Sequence, residues 1–206
     1  MRIVAVNASE RIQLLLQCWA AGGHHVGTIA LDAAAQLEEI VDADVILLDL
    51  QGVGASNVEK LARHLDGKTV IECSSPCNVA ELRSGSASIA EQVARACPGA
   101  AVVKALNVIT SAALRHVLKQ DGAEGREGYT SGYYCGDDQQ ARLTAGALIE
   151  ELHLDPIDCG PLTNATLLEA LGLLTHHLEG QTGFGEHFTI SVVRAHGDSS
   201  PLDHWM

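Results

Sequence analysis

Short runs of Val, Ile and Leu recur along this chain, and the stretches between them carry apolar residues at helical spacing. The runs at 2–6, 25–31, 44–50 (DVILLDL), 69–73 (TVIEC) and 101–106 (AVVKAL) are near-continuous rather than alternating. A strand with two apolar faces must be covered on both, which calls for a parallel sheet between two helical layers. The intervening stretches at 11–20 (ended by Gly22-Gly23), 35–41, 57–65 and 88–96 supply the expected helices. Connections of this kind are right-handed crossovers. The fold class expected is therefore α/β.

Residues 119–132 (KQDGAEGREGYTSG) are polar and Gly-rich, and read as a loop. Beyond it come a strand at 133–135, a helix over 139–152, a short strand at 155–159 and a helix at 166–178 (TLLEALGLLTHHL). That last helix is apolar on most of its faces, so it is expected to be buried or to meet a second subunit, making the chain a homodimer. There is no internal repeat. The expected organisation is a main domain over 1–118, the loop 119–132, and a small C-terminal α/β extension over 133–206 packed on the first.

Charge narrows the function classes. Among 206 residues, 26 acidic side chains oppose 13 basic ones, for a net charge of −13. Phosphate backbones require clustered Lys and Arg, so nucleic acid is not an expected partner. No apolar run reaches the ~18 residues of a membrane span. The first strand turns polar at Asn7, too early for a signal-peptide core. A cytoplasmic protein with reduced thiols is the expectation, since the six cysteines lack the spacing of a disulfide framework.

Several segments, taken together, resemble one known family. Asp42-Ala43-Asp44-Val45-Ile46-Leu47-Leu48 looks like its third strand, and 67–76 (GKTVIECSSP) is similar to its strand ending in Asn-Pro or Ser-Pro. Val102-Val103-Lys104-Ala105-Leu106-Asn107 resembles its VVKAFN segment. Cys135-Gly136-Asp137-Asp138, 156–162 (PIDCGPL), Leu168-Glu169 and Gly183-Phe184-Gly185 follow its C-terminal order. The family is that of the NADP-dependent oxidoreductases that reduce the deazaflavin coenzyme F-420, and the resemblance spans roughly residues 1–195. It implies a Rossmann-like doubly wound parallel sheet and a nicotinamide cofactor, NAD or NADP, with no metal.

The chain departs from that family at the dinucleotide motif. G-x-G-x-x-G follows the first strand there, for a tight turn and close approach to pyrophosphate. Here the aligned residues are Asn7-Ala8-Ser9-Glu10-Arg11-Ile12. Asn7 tolerates a left-handed turn conformation. Ser9 brings a Cβ and hydroxyl towards the phosphates, Ile12 a branched side chain to the helix–strand contact, and Glu10 a negative charge to a helix N-terminus. Only Arg11 favours an anion. After the second strand, Ala30-Leu31-Asp32-Ala33-Ala34-Ala35 contains no Arg for a 2′-phosphate. Asp32 stands 20 residues beyond Ile12, the spacing of an acidic ribose ligand, so NAD fits better than NADP. A helix-capping role for Asp32 is the alternative.

Ligands of such sheets bind outside the carboxyl ends of the strands. The polar residues falling there are Asn7, Asp49 with Gln51, Ser74 with Ser75, and Asn107. Asp49 is a candidate general base or a hydrogen-bonding partner of loop amides. Asn107 is a candidate ligand of substrate or nicotinamide amide. Cys73 and Cys77 have three residues between them and no second pair, unlike a zinc knuckle. Adjacent helical residues point about 100° apart, so of His176 and His177 one faces inward and the other solvent. His177 and His187 are taken as acid/base candidates. Asp137-Asp138 reads as a helix start. No Ser-His-Asp order, G-x-S-x-G elbow or P-loop lysine is present.

Three functions follow. The first is an oxidoreductase transferring hydride between a nicotinamide and a small molecule. The second is a repurposed relative doing non-redox acid–base chemistry (isomerisation, cyclisation or elimination) in the same cleft. The third is a non-catalytic binding protein.

Overall fold

The computed structural model describes residues 1–31, 38–50, 55–75, 78–83, 87–119, 130–180, 185 and 188–193. Its seven strands are β1 (Arg2–Val6), β2 (His25–Ile29), β3 (Val45–Leu48), β4 (Thr69–Glu72), β5 (Ala101–Ala105), β6 (Ser131–Gly136) and β7 (Asp155–Asp158). They form one sheet in the order β2-β1-β3-β4-β5-β6-β7. Every neighbouring pair is parallel except β5 with β6. This is the Rossmann-like doubly wound architecture that the resemblance implies, with the two-layered, mostly parallel sheet that the apolar runs call for.

The burial explains the composition of the strands. Val4, Val6, Ile46, Leu48, Val70 and Val102 belong to one core; Ile3, Ala5, Val45, Leu47, Ile71 and Val103 belong to the other. Alternate residues of each strand thus face opposite helical layers, so the central strands are apolar on both faces except at Glu72 and Lys104. One layer contains α1 (Glu10–Ala21), α6 (Ser111–Lys119) and α7 (Gln139–Glu151). The other contains the 3-10 helix Ala55–Leu61, α3 (Ala62–Leu65), α5 (Ile89–Ala96) and α8 (Ala165–Glu179). Two further short helices, α2 (Glu38–Val41) and α4 (Val79–Arg83), lie before β3 and α5.

Some details differ from the expectation. The helix read at 57–65 is a 3-10 turn followed by only four α-helical residues. α4 and α6 fall outside the expected elements. α6 begins behind Thr110, whose hydroxyl accepts the Ala113 amide at 3.0 Å. β6 starts at Ser131, inside the segment read as loop, and most of that loop lies outside the described residues. Of the described residues in 119–132, Lys119 closes α6 and Ser131-Gly132 open β6. Ile190, Ser191 and Val192 run beside β6, with Val192 N donating to Ser131 Oγ at 3.0 Å and Tyr133 Oη to Ile190 O at 3.1 Å. Among the described residues no helix is long and apolar enough to cross a membrane.

The registers carry the functional consequence. Val6 stands level with Ile29 on one side and Leu48 on the other, Leu48 with Glu72, and Glu72 with Lys104. Asn7, Asp49, Cys73 and Leu106-Asn107 therefore all leave the sheet at one edge. The chain order reverses between β1 and β3, which opens the crevice at that edge.

Candidate functional site

At the end of β1 the chain must turn sharply into α1. Asn7 does this with φ of 58°, the left-handed conformation that glycine would otherwise supply. Its amide donates to Ile29 O at 3.0 Å and its Oδ1 accepts Leu31 N at 3.2 Å, so the side chain ties β1 to the exit of β2. Ser9 caps α1, its Oγ accepting Ile12 N at 3.5 Å. Ile12 is fully buried, filling the helix–sheet contact with its branched side chain.

The two charges that follow behave differently from their appearance in sequence. Glu10 pairs with Arg115 of α6, which draws the carboxylate into a salt bridge at the start of α1. Arg11 reaches the other way, Nη2 donating to Cys73 O at 2.7 Å. Since β3 lies between β1 and β4, this bond passes over the end of β3, where Asp49 leaves the sheet. Arg11 Nε is buried and finds no acceptor among the described residues.

A cleft of about 330 Å³ opens beside this point. Ser9, Glu10 and Arg11 form one wall, Ser75 and Asn107 its base, residues 108–111 a side, and Gly172, Thr175, His176 and Glu179 the opposite wall. The last four recur at helical spacing, so α8 presents a polar stripe to the cleft. α8 can come this close because residue 172 lacks a side chain. A Cβ there would lie 2.5 Å from Asn107 Nδ2 and 2.6 Å from Ser75 Oγ. Asn107 is only 3% exposed. Its Nδ2 donates to Leu168 O at 2.7 Å, while its Oδ1 is buried without a donor among the described residues.

Beneath the base lies a charged cluster that the sequence reading missed. Lys104 Nζ, fully buried, donates to Glu72 Oε2 at 2.5 Å, to Glu169 Oε1 at 3.2 Å and to Ser74 O. Glu72 Oε1 also accepts Ser74 N at 2.7 Å, and Glu169 Oε1 accepts Ile89 N at 2.7 Å. One cation thereby joins β4, β5, α8 and the start of α5. Burial pulls the Lys104 ammonium down, but the attraction of Glu72 and then Glu169 outweighs it, and its pKa stands above the ordinary value. Burial pushes the Glu169 carboxyl up. Charged residues inside two apolar strand runs, TVIEC and AVVKAL, were the available signal.

Of the residues singled out from sequence, Ser9, Arg11, Ser75 and Asn107 line the cleft together. Ser74 is buried and its three polar groups are committed: besides the two bonds above, its Oγ accepts Leu50 N at 2.6 Å. Asp49, 4% exposed, sits at the end of β3 with its amide bonded to Val6 O, outside the cleft lining. It is His176 rather than His177 that lines the cleft, with Nδ1 3.5 Å from Glu179 Oε2. His177 faces a separate apolar groove between α4 and α8. Asp32 and His187 lie outside the described residues. Burial, foremost, drives the Cys73 thiol far up, which leaves it unreactive as a nucleophile. Among the described residues no three His, Cys, Asp or Glu side chains gather as a metal centre would require.

Comparison with known proteins adds the following. No family model matches the chain. Rat metalloreductase STEAP3 is 30% identical over 138 residues, 67% of this chain and 27% of the relative, so the chain spans about a quarter of that relative's length. A protein of Arthrobacter sp. FB24, provisionally designated an F420-dependent NADP-reductase, superposes with a TM-score of 0.75 at 22% identity. That match covers 94% of this chain and 100% of the other. An imine reductase of Streptomyces aurantiacus gives 0.59 at 14% identity, over 86% of this chain and 62% of its own. A Myxococcus stipitatus imine reductase variant, solved with NAD+, gives 0.55 at 14% identity, over 85% and 60%. At these identities the likeness is one of fold.

Proposed function

We propose that this protein is an oxidoreductase that holds a nicotinamide dinucleotide at the carboxyl ends of β1, β3, β4 and β5 and acts on a small polar molecule in the adjoining cleft. The observation that carries the reading is Asn7 at φ 58°, which makes the turn of a dinucleotide site at the head of α1 without its glycine. Two further features fit the group. Glu10, which alone would repel a phosphate, is engaged by Arg115. Asn107 Oδ1 is a buried acceptor lacking a donor, and an amide NH2 of the kind a nicotinamide bears would satisfy it.

In this reading the phosphates lie at the first turn of α1, and Ser75 and Asn107 orient the ring. The cofactor, when bound, supplies the hydride. The close approach of Gly172 to Asn107 and Ser75 narrows the base of the cleft. Thr175, His176 and Glu179 offer hydrogen bonds to the second molecule, which favours a polar substrate. NAD is preferred over NADP because no Arg follows β2 before Ala35. The relatedness to a metalloreductase and the shared fold with nicotinamide-dependent reductases support redox chemistry over isomerisation or binding alone.

The same reading includes a homodimer built on α8. Leu167 is 67% and Leu174 48% exposed, and both lie on the helix face turned away from the polar stripe.

The test is titration of the purified protein with NADH and NADPH, following nicotinamide fluorescence and the melting temperature. Saturable micromolar binding, tighter for NADH, is expected, with stabilisation of about 2.7 kcal/mol at a hundredfold excess over Kd. A folded protein that responds to neither cofactor would overturn the proposal.

A further inference from the structure

A guanidinium beside a cleft has several possible uses, and the surroundings of Arg11 select among them. Its hydrogen bond from Nη2 to Cys73 O at 2.7 Å uses one of five N–H donors. Its Nε is buried without an acceptor among the described residues. A buried donor left unmade costs free energy, so this side chain is incompletely satisfied as it stands. The bond also runs over the point where the sheet order reverses, the place where a dinucleotide enters such a fold.

We infer that Arg11 is the phosphate ligand of the crevice, a side chain doing what the backbone of a glycine loop does elsewhere. This rests on the dinucleotide reading above and gives it a residue of this chain's own. The glycine loop works by letting amides touch the phosphate. Ser9 denies that approach with its Cβ, and its Oγ already occupies the Ile12 amide. Something else must then supply the positive charge. Arg11 stands one residue inside α1, adds a full charge to the partial charge of the helix start, and presents a fork that matches phosphate geometry. Arg115 keeps Glu10 from cancelling it. Asn107 is a second, independent sign of a ligand in the same cleft: it is 3% exposed and its acceptor is unmatched among the described residues. Without ligand, Arg11 ties α1 to the end of β4; a phosphate takes over the guanidinium, and the Cys73 carbonyl is released.

Calorimetric titration of the full chain and of Arg11→Gln and Arg11→Lys tests this, with NADH, NADPH, ADP-ribose and inorganic pyrophosphate as probes at two salt concentrations. Wild-type binding is expected to weaken at least tenfold in Arg11→Gln, with a shallower salt dependence, and by a smaller factor in Arg11→Lys, which keeps the charge and loses the fork. Circular dichroism establishes that each variant is folded; if Arg11→Gln is not, Arg11→Lys decides by the same criterion. Binding of NADH or NADPH that is unchanged in the variants removes Arg11 as the ligand and leaves the dinucleotide reading intact. Binding of pyrophosphate or ADP-ribose alone, lost with Arg11, upholds the phosphate ligand and sinks the nicotinamide. No binding of any probe overturns both.

Discussion

Gly172 decides how near α8 comes to the strand ends. Besides the two side-chain atoms it would strike, a Cβ at this position would lie 2.9 Å from the Asn107 carbonyl, a backbone atom that cannot swing away. Gly172→Ala is therefore expected to push α8 outward at a cost of about 1–3 kcal/mol, the usual range for overpacking. Denaturant unfolding measures that cost, and an unchanged midpoint would mean the helix is not held as described. Asn7 shows the reverse case. Its left-handed turn could be anticipated, since Asn is the residue that accepts this conformation after glycine. What could not be anticipated is that its Oδ1 would be spent on Leu31 N, because that requires β2 to lie alongside.

Lys104, Glu72 and Glu169 act between elements, and their energetics are those of a buried ion cluster. Removing the cation leaves two buried carboxylates uncompensated, so Lys104→Met is expected to cost roughly 3–5 kcal/mol near neutral pH. The sign of its pH dependence follows from the carboxyls. Burial raises the Glu169 pKa, so between the unfolded and folded values the native state binds more protons than the unfolded one. The stability that Glu169 contributes is present below the unfolded value and is lost as pH rises through the folded one. Without the lysine the Glu169 carboxyl loses the cation that holds it down, and the deficit of Lys104→Met should be smaller at pH 5 than at pH 8. Equal deficits by denaturant unfolding at the two pH values would contradict this. Glu72 and Lys104 were visible in sequence as charges inside apolar strands. Their pairing was not, because it depends on the β4–β5 register and on α8 returning over both.

α8 divides the molecule's outer surface from its cleft. Its polar stripe turns inward to the cleft and Ala165 and Leu168 into the core, whereas Leu167 and Leu174 remain on the outside. Light scattering is expected to report a dimer, and Leu167→Asp combined with Leu174→Asp a folded monomer; a monomeric wild type would remove this interface. The acidic excess of the whole chain also changes meaning in three dimensions. Glu10 looked like an obstacle to anions at the head of α1, yet its partner Arg115 lies 105 residues further along the chain. No local reading could bring the two together.

The sheet was legible because its cause is local. Continuous Val, Ile and Leu runs of strand length can be buried only between two layers, and their order along the chain dictates which ends lie at a common edge. Ser9, Arg11, Ser75 and Asn107 were legible for the same reason, each standing within five residues of such an end. The wall facing them was not. Which of two adjacent histidines meets the cleft depends on the rotation of α8 about its axis, and that rotation is set by Gly172 against Asn107 and Ser75. The sequence by itself determined the layers, the edge and one wall and the base of the cleft. The tertiary structure decided the opposing wall, the neutralisation of Glu10 and the buried cluster beneath, since each arises from side chains that only long-range packing brings within hydrogen-bond distance.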